Sequence, residues 1–403
     1  MFVRGVTPIV PPGGFLIWTQ ILHLTRRALG SAKRLKRRTK ARFGRFHPIT
    51  IVPFRGYGTP TWLTVSGRVL EARGVAHVVD GDQPEHGTAW RNLRATVRRF
   101  GSEEIPGARV VARVGRAWIE LRTDEEGFFH GRLELLHPLE PGWHDVRLEL
   151  VESIAGGEGL RAEAPALIPP SDADFAVVSD IDDTIVHSAV TNRLRMIRIV
   201  LFQNARTRSP FPGVGAFYRA LKLGPRGSSA NPLFYVSKSP WNLYDLLIAF
   251  FELHKIPRGP IFLRDLSMLE APSVALGAGQ DKLTRIRMLM ATYPTLPFVL
   301  VGDSGQRDPE IYRQIALEHP DRVRAIYIRD VTSVRREREV TALAEEIRAH
   351  RIPLVLARET LQAARHAADL GLIAPSALEE IRQDHARDRR RETGSGQVAA
   401  VER

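Results

Sequence analysis

The spacing of apolar residues changes along the chain near residue 170. From 48 to 168, apolar residues alternate with polar ones in short runs, as at Leu63, Val65 and Val69. Turn sequences such as Asp124-Glu125-Glu126-Gly127 separate these runs. Alternation with a period of two is typical of strands that have one buried face. Residues 48–168 are therefore predicted to form a small antiparallel β-sandwich domain.

Residues 172–357 show a different pattern, in which continuous apolar runs alternate with helical stretches such as 241–254 and 282–293. Strands of a parallel sheet are buried on both faces, and they therefore read as continuous apolar runs. The fold class predicted for this part is α/β, with a doubly wound parallel sheet. The six predicted strands are Phe175–Val178, Leu233–Val236, Ile261–Leu263, Phe298–Val301, Ala325–Ile328 and Pro353–Leu356.

The two ends of the chain carry neither pattern. Residues 1–47 form a basic arm, in which residues 15–43 place Trp18, Ile21 and Leu22 on one helical face. Both an amphipathic helix and a partly disordered arm are consistent with this pattern. Residues 358–388 have Ala-rich helical spacing and predict C-terminal helices. Residues 389–403 are charged and then contain Gly and Ser, which predicts a disordered tail.

The net charge of +13 is concentrated at the N-terminal end. The first 70 residues carry 13 Lys and Arg and no acid, so the rest of the chain is balanced at 45 residues of each sign. Basic side chains beside the apolar run Phe15–Leu24 favour an anchor on an anionic membrane surface. A nucleic-acid-binding arm is the alternative, and the lack of aromatics within the basic run argues against it.

The composition excludes several classes of protein. No run approaches the roughly 18 apolar residues of a membrane span, and the Phe15–Leu24 run lacks the flanks of a signal peptide. Because the chain has no cysteine, thiol catalysis, disulfides and thiolate metal sites are excluded. We therefore expect a cytoplasmic protein, or one held peripherally on the inner face of the membrane. The sequence does not indicate an oligomeric state.

Candidate chemistry follows the first strand of the predicted parallel sheet. Residues 180–184 read Asp-Ile-Asp-Asp-Thr, with three carboxylates in four residues. Such a loop can be a helix N-cap or a solvated turn. Like charges this close also repel, and a bound cation would relieve that repulsion. The motif alone leaves a cap and a metal site equally open.

Other polar clusters follow later strands and favour the second interpretation. Ser237-Lys238-Ser239-Pro240 comes after the second strand, and the run from Gly302 to Pro309, with Asp303 and Asp308, comes after the fourth. Lys282 begins the predicted helix between them. Ligands in parallel sheets bind outside the carboxyl ends of the strands, so these side chains are expected to meet at one edge.

The order and spacing of these clusters resemble the haloacid dehalogenase superfamily of phosphatases that use an aspartate nucleophile. Three stretches are more narrowly similar to the actin-patch phosphatidate phosphatase family: 179–184, 235–241 and 301–310. This resemblance covers residues 172–357, and the Gly-Asp-Ser-Gly-Gln run at 302–306 is its most specific part. The segment 55–59 and the β domain after it resemble bacterial members more loosely. Lys238 departs from the Asn that relatives often carry.

The resemblance implies a role for each residue of the clusters. It implies that Asp180 is the nucleophile, that Asp182 is the general acid and base, and that Lys282 neutralises charge. It further implies that Ser237, Lys238 and Thr184 bind the substrate phosphoryl group. The implied cofactor is Mg²⁺, which the resemblance assigns to Asp180, Asp182, Asp303 and Asp308.

The function implied is a Mg²⁺-dependent phosphatase that acts through an aspartyl phosphate, with phosphatidate as the substrate and diacylglycerol as the product. One alternative is a phosphatase for another phosphomonoester, either a soluble metabolite or a nucleic-acid end. A second is a non-catalytic membrane-binding protein. The basic and apolar segment 190–212 is either an ordinary amphipathic helix or a cap over the site.

Overall fold

The structure is a computed structural model, and it describes residues 48–71, 103–153, 155–182, 184–185, 211–264, 278–332 and 334–401. The basic arm 1–47 and almost all of the candidate cap 190–212 lie outside these residues. Both therefore remain predictions. Among the described residues, no helix is both long and apolar enough to cross a membrane.

A parallel six-stranded sheet forms the C-terminal part, which confirms the predicted parallel α/β sheet. Its strands lie in the order β12-β11-β10-β13-β14-β15, and every neighbouring pair is parallel. The chain leaves the central strand β10 in one direction for β11 and β12, and in the other for β13. The strands are β10 (Ala176–Ser179), β11 (Leu233–Pro240), β12 (Ile261–Arg264), β13 (Phe298–Asp303), β14 (Val323–Arg329) and β15 (Leu354–Ala357).

Helices cover both faces of this sheet, because alternate residues of its buried strands point to opposite sides. Val177, Tyr235 and Val299 belong to one core with α1, α2, α6 and α7. Val178 and Leu300 belong to the other core with α3, α4 and α5. The helices are α1 (Val214–Leu223), α2 (Tyr244–Leu253), α3 (Ala278–Thr292), α4 (Asp308–Glu318), α5 (Val334–Arg348), α6 (Thr360–Asp369) and α7 (Ala377–Val401).

Nine further strands form a mixed sheet N-terminal to the parallel one. Seven of them lie in the order β1-β3-β2-β9-β8-β5-β6, while β4 and β7 both pair with β3. Of the pairings between these described strands, β2 with β9 is parallel and the others are antiparallel. The strands are β1 (Ile49–Pro53), β2 (Gly56–Thr59), β3 (Trp62–Glu71), β4 (Glu103–Glu104), β5 (Arg109–Val114), β6 (Ala117–Arg122), β7 (Phe128–Glu134), β8 (Gly142–Glu152) and β9 (Arg161–Ile168).

The helices differ from the sequence-based expectations at two places. Helix α3 begins at Ala278, so Lys282 lies in its second turn and not at its start. Helix α7 continues to Val401, through residues where the sequence predicts a disordered tail. Ion pairs along this helix, Arg382 with Glu379 and Arg387 with Asp384, join side chains one turn apart, an arrangement that supports a helix of low apolar content.

Candidate active site

Asp180 stands directly after the central strand β10. Its backbone N–H donates to the carbonyl of Val301 at 2.8 Å, which extends the pairing of β10 with β13. Ser179, the last residue of β10, shares a 2.6 Å hydrogen bond with the hydroxyl of Tyr218. The Asp180 side chain is completely buried. The end of the strand therefore fixes this carboxylate at the edge where the sheet reverses its strand order, the usual place for a ligand in such sheets.

Lys282 bridges two of the buried carboxylates. Its Nζ lies 2.7 Å from Asp180 Oδ1 and 2.5 Å from Asp308 Oδ1, and its side chain is only 2% exposed. Lys282 is therefore a buried residue of the site and not a solvated lysine. The second Asp180 oxygen, Oδ2, has longer contacts of 3.5 Å with Thr184 Oγ1 and Gln306 Nε2.

Three carboxylates converge beside this lysine. Oxygens of Asp180, Asp303 and Asp308 all lie within 4.8 Å of one another, and all three residues are buried. Gly302 permits this approach, because a Cβ at that position would lie 2.5 Å from Asp308 Oδ2. The Asp303 carboxylate also accepts the backbone N–H of Gln306 at 2.9 Å. The turn after β13 thus places two carboxylates opposite the one that follows β10.

Two serine hydroxyls hold Asp182. Ser237 Oγ donates to Asp182 Oδ2 at 2.6 Å, and Ser239 Oγ lies 3.1 and 3.2 Å from its two carboxylate oxygens. The backbone N–H of Ser239 donates in turn to Ser237 Oγ at 2.9 Å. The Asp182 carbonyl accepts from Gln306 Nε2 at 3.3 Å. Both the side chain and the backbone of Asp182 are therefore held in place.

The electrostatics of the site are dominated by excess negative charge. Burial raises the pKa of the Asp180 carboxyl well above its usual range; Lys282 opposes this rise, while the neighbouring carboxylates reinforce it. Burial alone would lower the pKa of Lys282, but the carboxylates of Asp180 and Asp308 outweigh it and raise that pKa. Lys282 is therefore a cation at neutral pH. One ammonium group thus faces three acidic side chains, and it cannot neutralise all of them when they are ionised.

The arrangement fits a hard divalent cation. The three carboxylates bring together only oxygen atoms, the ligands that Mg²⁺ and Ca²⁺ take in proteins. The amide oxygen of Gln306 is buried beside them and accepts no hydrogen bond from the part of the chain that the structure describes. A cation would neutralise the three carboxylates and would give a buried polar cluster the charge balance it lacks.

Arg336, on α5, fastens the loop that follows β13. Its Nε donates to the Ser304 carbonyl at 2.9 Å and its Nη2 to the Gln306 carbonyl at 3.0 Å. Two further bonds, of 2.6 and 2.9 Å, join the guanidinium to the Glu310 carboxylate. The planar fork of arginine can satisfy this set of acceptors, and a lysine cannot.

We expect replacement of Arg336 to loosen the carboxylate loop. Arg336→Leu should lower the free energy of unfolding by about 1–3 kcal/mol and should raise the Mg²⁺ concentration needed for half-maximal thermal stabilisation. The neighbouring Arg335 is the matched control, because its side chain is 91% exposed and its ion pair is with Glu339 on the same helix. Arg335→Leu should change the free energy of unfolding by less than about 0.5 kcal/mol. Equal losses in the two variants, measured by thermal unfolding with and without Mg²⁺, would contradict this role.

Comparison with known proteins identifies the region that carries the site. Residues 175–330 match the family model described as "Phosphatidate phosphatase APP1, catalytic domain". The phosphatidate phosphatase APP1 of Saccharomyces cerevisiae is 30% identical over 243 residues, which are 59% of this chain and 40% of that protein. Residues 175–330 belong to the APP1 catalytic-domain family. This membership confirms the resemblance to the actin-patch phosphatidate phosphatase family, and it favours an enzyme over a non-catalytic protein.

Two further proteins are similar to this chain but say less about its function. An uncharacterized protein of Schizosaccharomyces pombe is 29% identical over 164 residues, which are 40% of this chain and 26% of that protein. The chain thus spans less than half the length of these two relatives. Among solved structures, a carbohydrate acetylesterase from Xanthomonas citri shares 12% identity at a TM-score of 0.25, over 69% of this chain and 68% of that chain. A likeness this weak bears on neither fold nor function.

Within the APP1-type site, the structure brings together most of the residues named from the sequence. Asp180, Asp303, Asp308 and Lys282 form one cluster, and Thr184 lies at its edge. Ser237, predicted to bind phosphate, donates to Asp182 instead, so its contact with a phosphoryl group remains a prediction. Lys238 lies half-buried between the two serines.

Three residues of the site received no role from the sequence. Ser239 and Gln306 lie within the stretches 235–241 and 301–310, and their side chains contact Asp182. Their polar character next to the aspartates was the available signal. Arg336 lies beyond the matched region, and no sequence pattern links it to the loop.

Proposed function

We propose that this protein is a Mg²⁺-dependent phosphomonoesterase in which Asp180 is phosphorylated during turnover, and that phosphatidate is its substrate. The observation that supports this most strongly is the buried Asp180–Lys282–Asp308 bridge, set beside an aspartate held by two serines. Membership of the APP1 catalytic-domain family supports the reaction class and the lipid substrate.

We also propose a finer domain architecture for the chain. We infer that the parallel sheet is the doubly wound sheet of the haloacid dehalogenase superfamily and that residues 172–357 are the phosphatase domain. Residues 48–168 would then be a β-sandwich domain and 358–388 an appended helical segment. The all-parallel strand order and the helices on both faces support this assignment.

In the first chemical step, an oxygen of Asp180 attacks the phosphorus atom and the bond from phosphorus to the leaving oxygen breaks. Oδ2 suits this attack, because its contacts are long while Oδ1 is bound to Lys282. Asp182 gives its proton to the departing alkoxide, which leaves as an alcohol. An alkoxide is a poor leaving group, and a positioned acid contributes roughly 10²–10⁴-fold to such a step.

In the second step, Asp182 takes a proton from water as the water oxygen attacks the phosphorus of the aspartyl phosphate. The bond between phosphorus and Asp180 breaks, inorganic phosphate leaves, and Asp182 is protonated again. Ser237 and Ser239 orient Asp182 for both transfers. The ammonium group of Lys282 stabilises the Asp180 carboxylate before the attack and the phosphoryl oxygens after it.

The Mg²⁺ ion would be held by Asp180, Asp303 and the Asp182 carbonyl. Asp308 would lie beside the ion, where its carboxylate contacts Lys282 and the Asp303 backbone N–H. When bound, the ion would neutralise charge between the nucleophile and the phosphoryl group. Thr184, Ser237 and Lys238 remain the proposed ligands of the phosphoryl oxygens. Backbone N–H groups at the end of β11, beside the helix that follows it, would assist them.

Removal of Asp303 should weaken the response to Mg²⁺. A cation with few protein ligands loses much of its affinity when one carboxylate is lost, so Asp303→Ala should both cripple turnover and reduce the rise in melting temperature that Mg²⁺ produces. The exposed Asp172, just before β10, provides the control variant Asp172→Ala. An unchanged Mg²⁺ dependence of both rate and melting temperature in Asp303→Ala would place the ion elsewhere.

The substrate is tested by phosphate release with and without Mg²⁺. Four compounds distinguish the possibilities: phosphatidate in mixed micelles, lysophosphatidate, a nucleotide and a 3′-phosphorylated oligonucleotide. We expect phosphatidate to be the best substrate and the rate to depend on Mg²⁺. A preference for the nucleotide or the oligonucleotide would favour a phosphatase of another phosphomonoester.

We further propose that the basic arm binds anionic membranes and places the protein on the inner face of the membrane. Each Lys or Arg near such a surface contributes about 1 kcal/mol, and salt screens this attraction. Deletion of residues 1–45 should leave hydrolysis of a soluble short-chain substrate within about twofold but sharply reduce sedimentation with anionic liposomes. Equal liposome binding by the truncated and full chains would refute the anchor, and a preference of the full chain for DNA or RNA would favour the nucleic-acid alternative.

A further inference from the structure

The segment Phe54–Thr59 of the mixed sheet packs against the parallel sheet close to the candidate site. It comprises the β1–β2 connection and strand β2. Phe54 is buried and its ring stacks on that of Trp241, with centroids 4.2 Å apart and planes 20° from parallel. The same ring lies 4.6 Å from that of Tyr244. Phe54 therefore lies against the first residues after strand β11.

Polar contacts fix the same segment. The backbone N–H of Arg55 donates to the Tyr244 hydroxyl at 2.7 Å, and the Tyr293 hydroxyl donates to the Gly58 carbonyl at 3.1 Å. Tyr57 packs edge-on against Phe234 of β11 and Phe262 of β12. The segment is thus held at several points to the parallel sheet.

The part of β11 next to this segment has an interrupted pairing. Val236 pairs with Phe262, and the next paired residue is Pro240, opposite Arg264. Ser237 and Ser239 lie within this irregular stretch. Because the regular ladder with β12 is broken there, the ladder alone does not fix the serines that hold Asp182.

We propose that Phe54 is a positioning residue for Asp182. The Phe54 ring stacks on Trp241, directly after the irregular stretch, and so holds the C-terminal end of that stretch in place. This keeps Ser237 and Ser239 directed at the Asp182 carboxylate. The mixed sheet is in this view an integral part of the catalytic unit. This inference rests on the proposed role of Asp182 as the general acid.

The test compares leaving groups. A general acid matters greatly for an alkyl phosphate, which releases an alkoxide, and little for nitrophenyl phosphate, whose phenolate leaves without a proton. Phe54→Leu keeps an apolar side chain and should lower kcat/KM, which reports the steps up to release of the leaving group, by about tenfold for a soluble alkyl phosphate. The same substitution should change kcat/KM for nitrophenyl phosphate less than about threefold. Phe129 is the matched control, since it is equally buried but belongs to the core of the mixed sheet. Phe129→Leu should affect the two substrates equally.

Three further variants complete the test. Trp241→Leu should reproduce the selective loss, and the double variant should lose no more than either single one, because both act through one contact. Asp182→Asn calibrates the method, since it should show the largest selective loss of kcat/KM, although its slow second step should lower kcat for both substrates. If Asp182→Asn is selective and Phe54→Leu is not, the positioning role is wrong and the proposed mechanism stands. If Asp182→Asn itself is not selective, the general-acid assignment fails and the inference fails with it.

Discussion

Asp180→Asn should abolish turnover while the protein remains folded. The carboxylate is the proposed nucleophile and an amide cannot replace it, so we expect a loss of at least about 10³-fold in kcat. The melting temperature in metal-free buffer should stay the same or rise slightly. Burial and three neighbouring carboxylates disfavour the charged Asp180 side chain, and the amide removes one charge from that cluster.

Phosphate release and thermal unfolding check this expectation together. Asp172→Asn is the control, because this aspartate precedes the same strand but is exposed, and it should behave as the unmodified protein does. Retention of a tenth of the original activity, in a preparation shown to be free of deamidated protein, would remove Asp180 from the nucleophile role.

Lys282→Met should damage both activity and stability. The substitution leaves the buried carboxylates of Asp180 and Asp308 without their ammonium partner. Breaking a buried pair in this way costs about 3–5 kcal/mol in the free energy of unfolding. Loss of the ammonium charge that would stabilise the phosphoryl oxygens should lower kcat by roughly 10²–10³-fold. Lys282→Arg should not restore the activity, since the larger guanidinium enters a fully buried site.

The comparison variant is Arg285→Met, which changes a half-buried cation on the same helix. Its guanidinium lies 5.7 Å from the centre of the Phe262 ring. We expect it to retain most of the activity and most of the stability. A larger loss of kcat in Arg285→Met than in Lys282→Met would show that the wrong cation has been assigned to the site.

The sequence was most informative where the fold itself brings residues together. Asp180, Asp303 and the serines of β11 lie at or just beyond the carboxyl ends of strands in one parallel sheet, and such strands end at a common edge. Their convergence could therefore be predicted from order and spacing. The parallel sheet could be predicted for the same reason, because its strands are continuous apolar runs.

What the sequence could not predict depends on side-chain geometry between distant residues. Ser237 donates to Asp182 and Arg336 reaches back to the Ser304 and Gln306 carbonyls, and no local pattern encodes either contact. The sequence predicts Lys282 at the start of a helix, and this helix in fact begins one turn earlier, at Ala278. Helix starts are poorly marked when no capping residue precedes the apolar pattern.

The most direct test of the account is to trap the phosphorylated nucleophile. In Asp182→Asn, nitrophenyl phosphate should still phosphorylate the enzyme, because its leaving group needs no proton, while hydrolysis should be slow for want of a base. Borohydride reduces an aspartyl phosphate to homoserine, which mass spectrometry of the peptides can locate. The account predicts homoserine at position 180 and only after exposure to substrate. Homoserine at another aspartate, or continued turnover of nitrophenyl phosphate with no trapped residue, would contradict it.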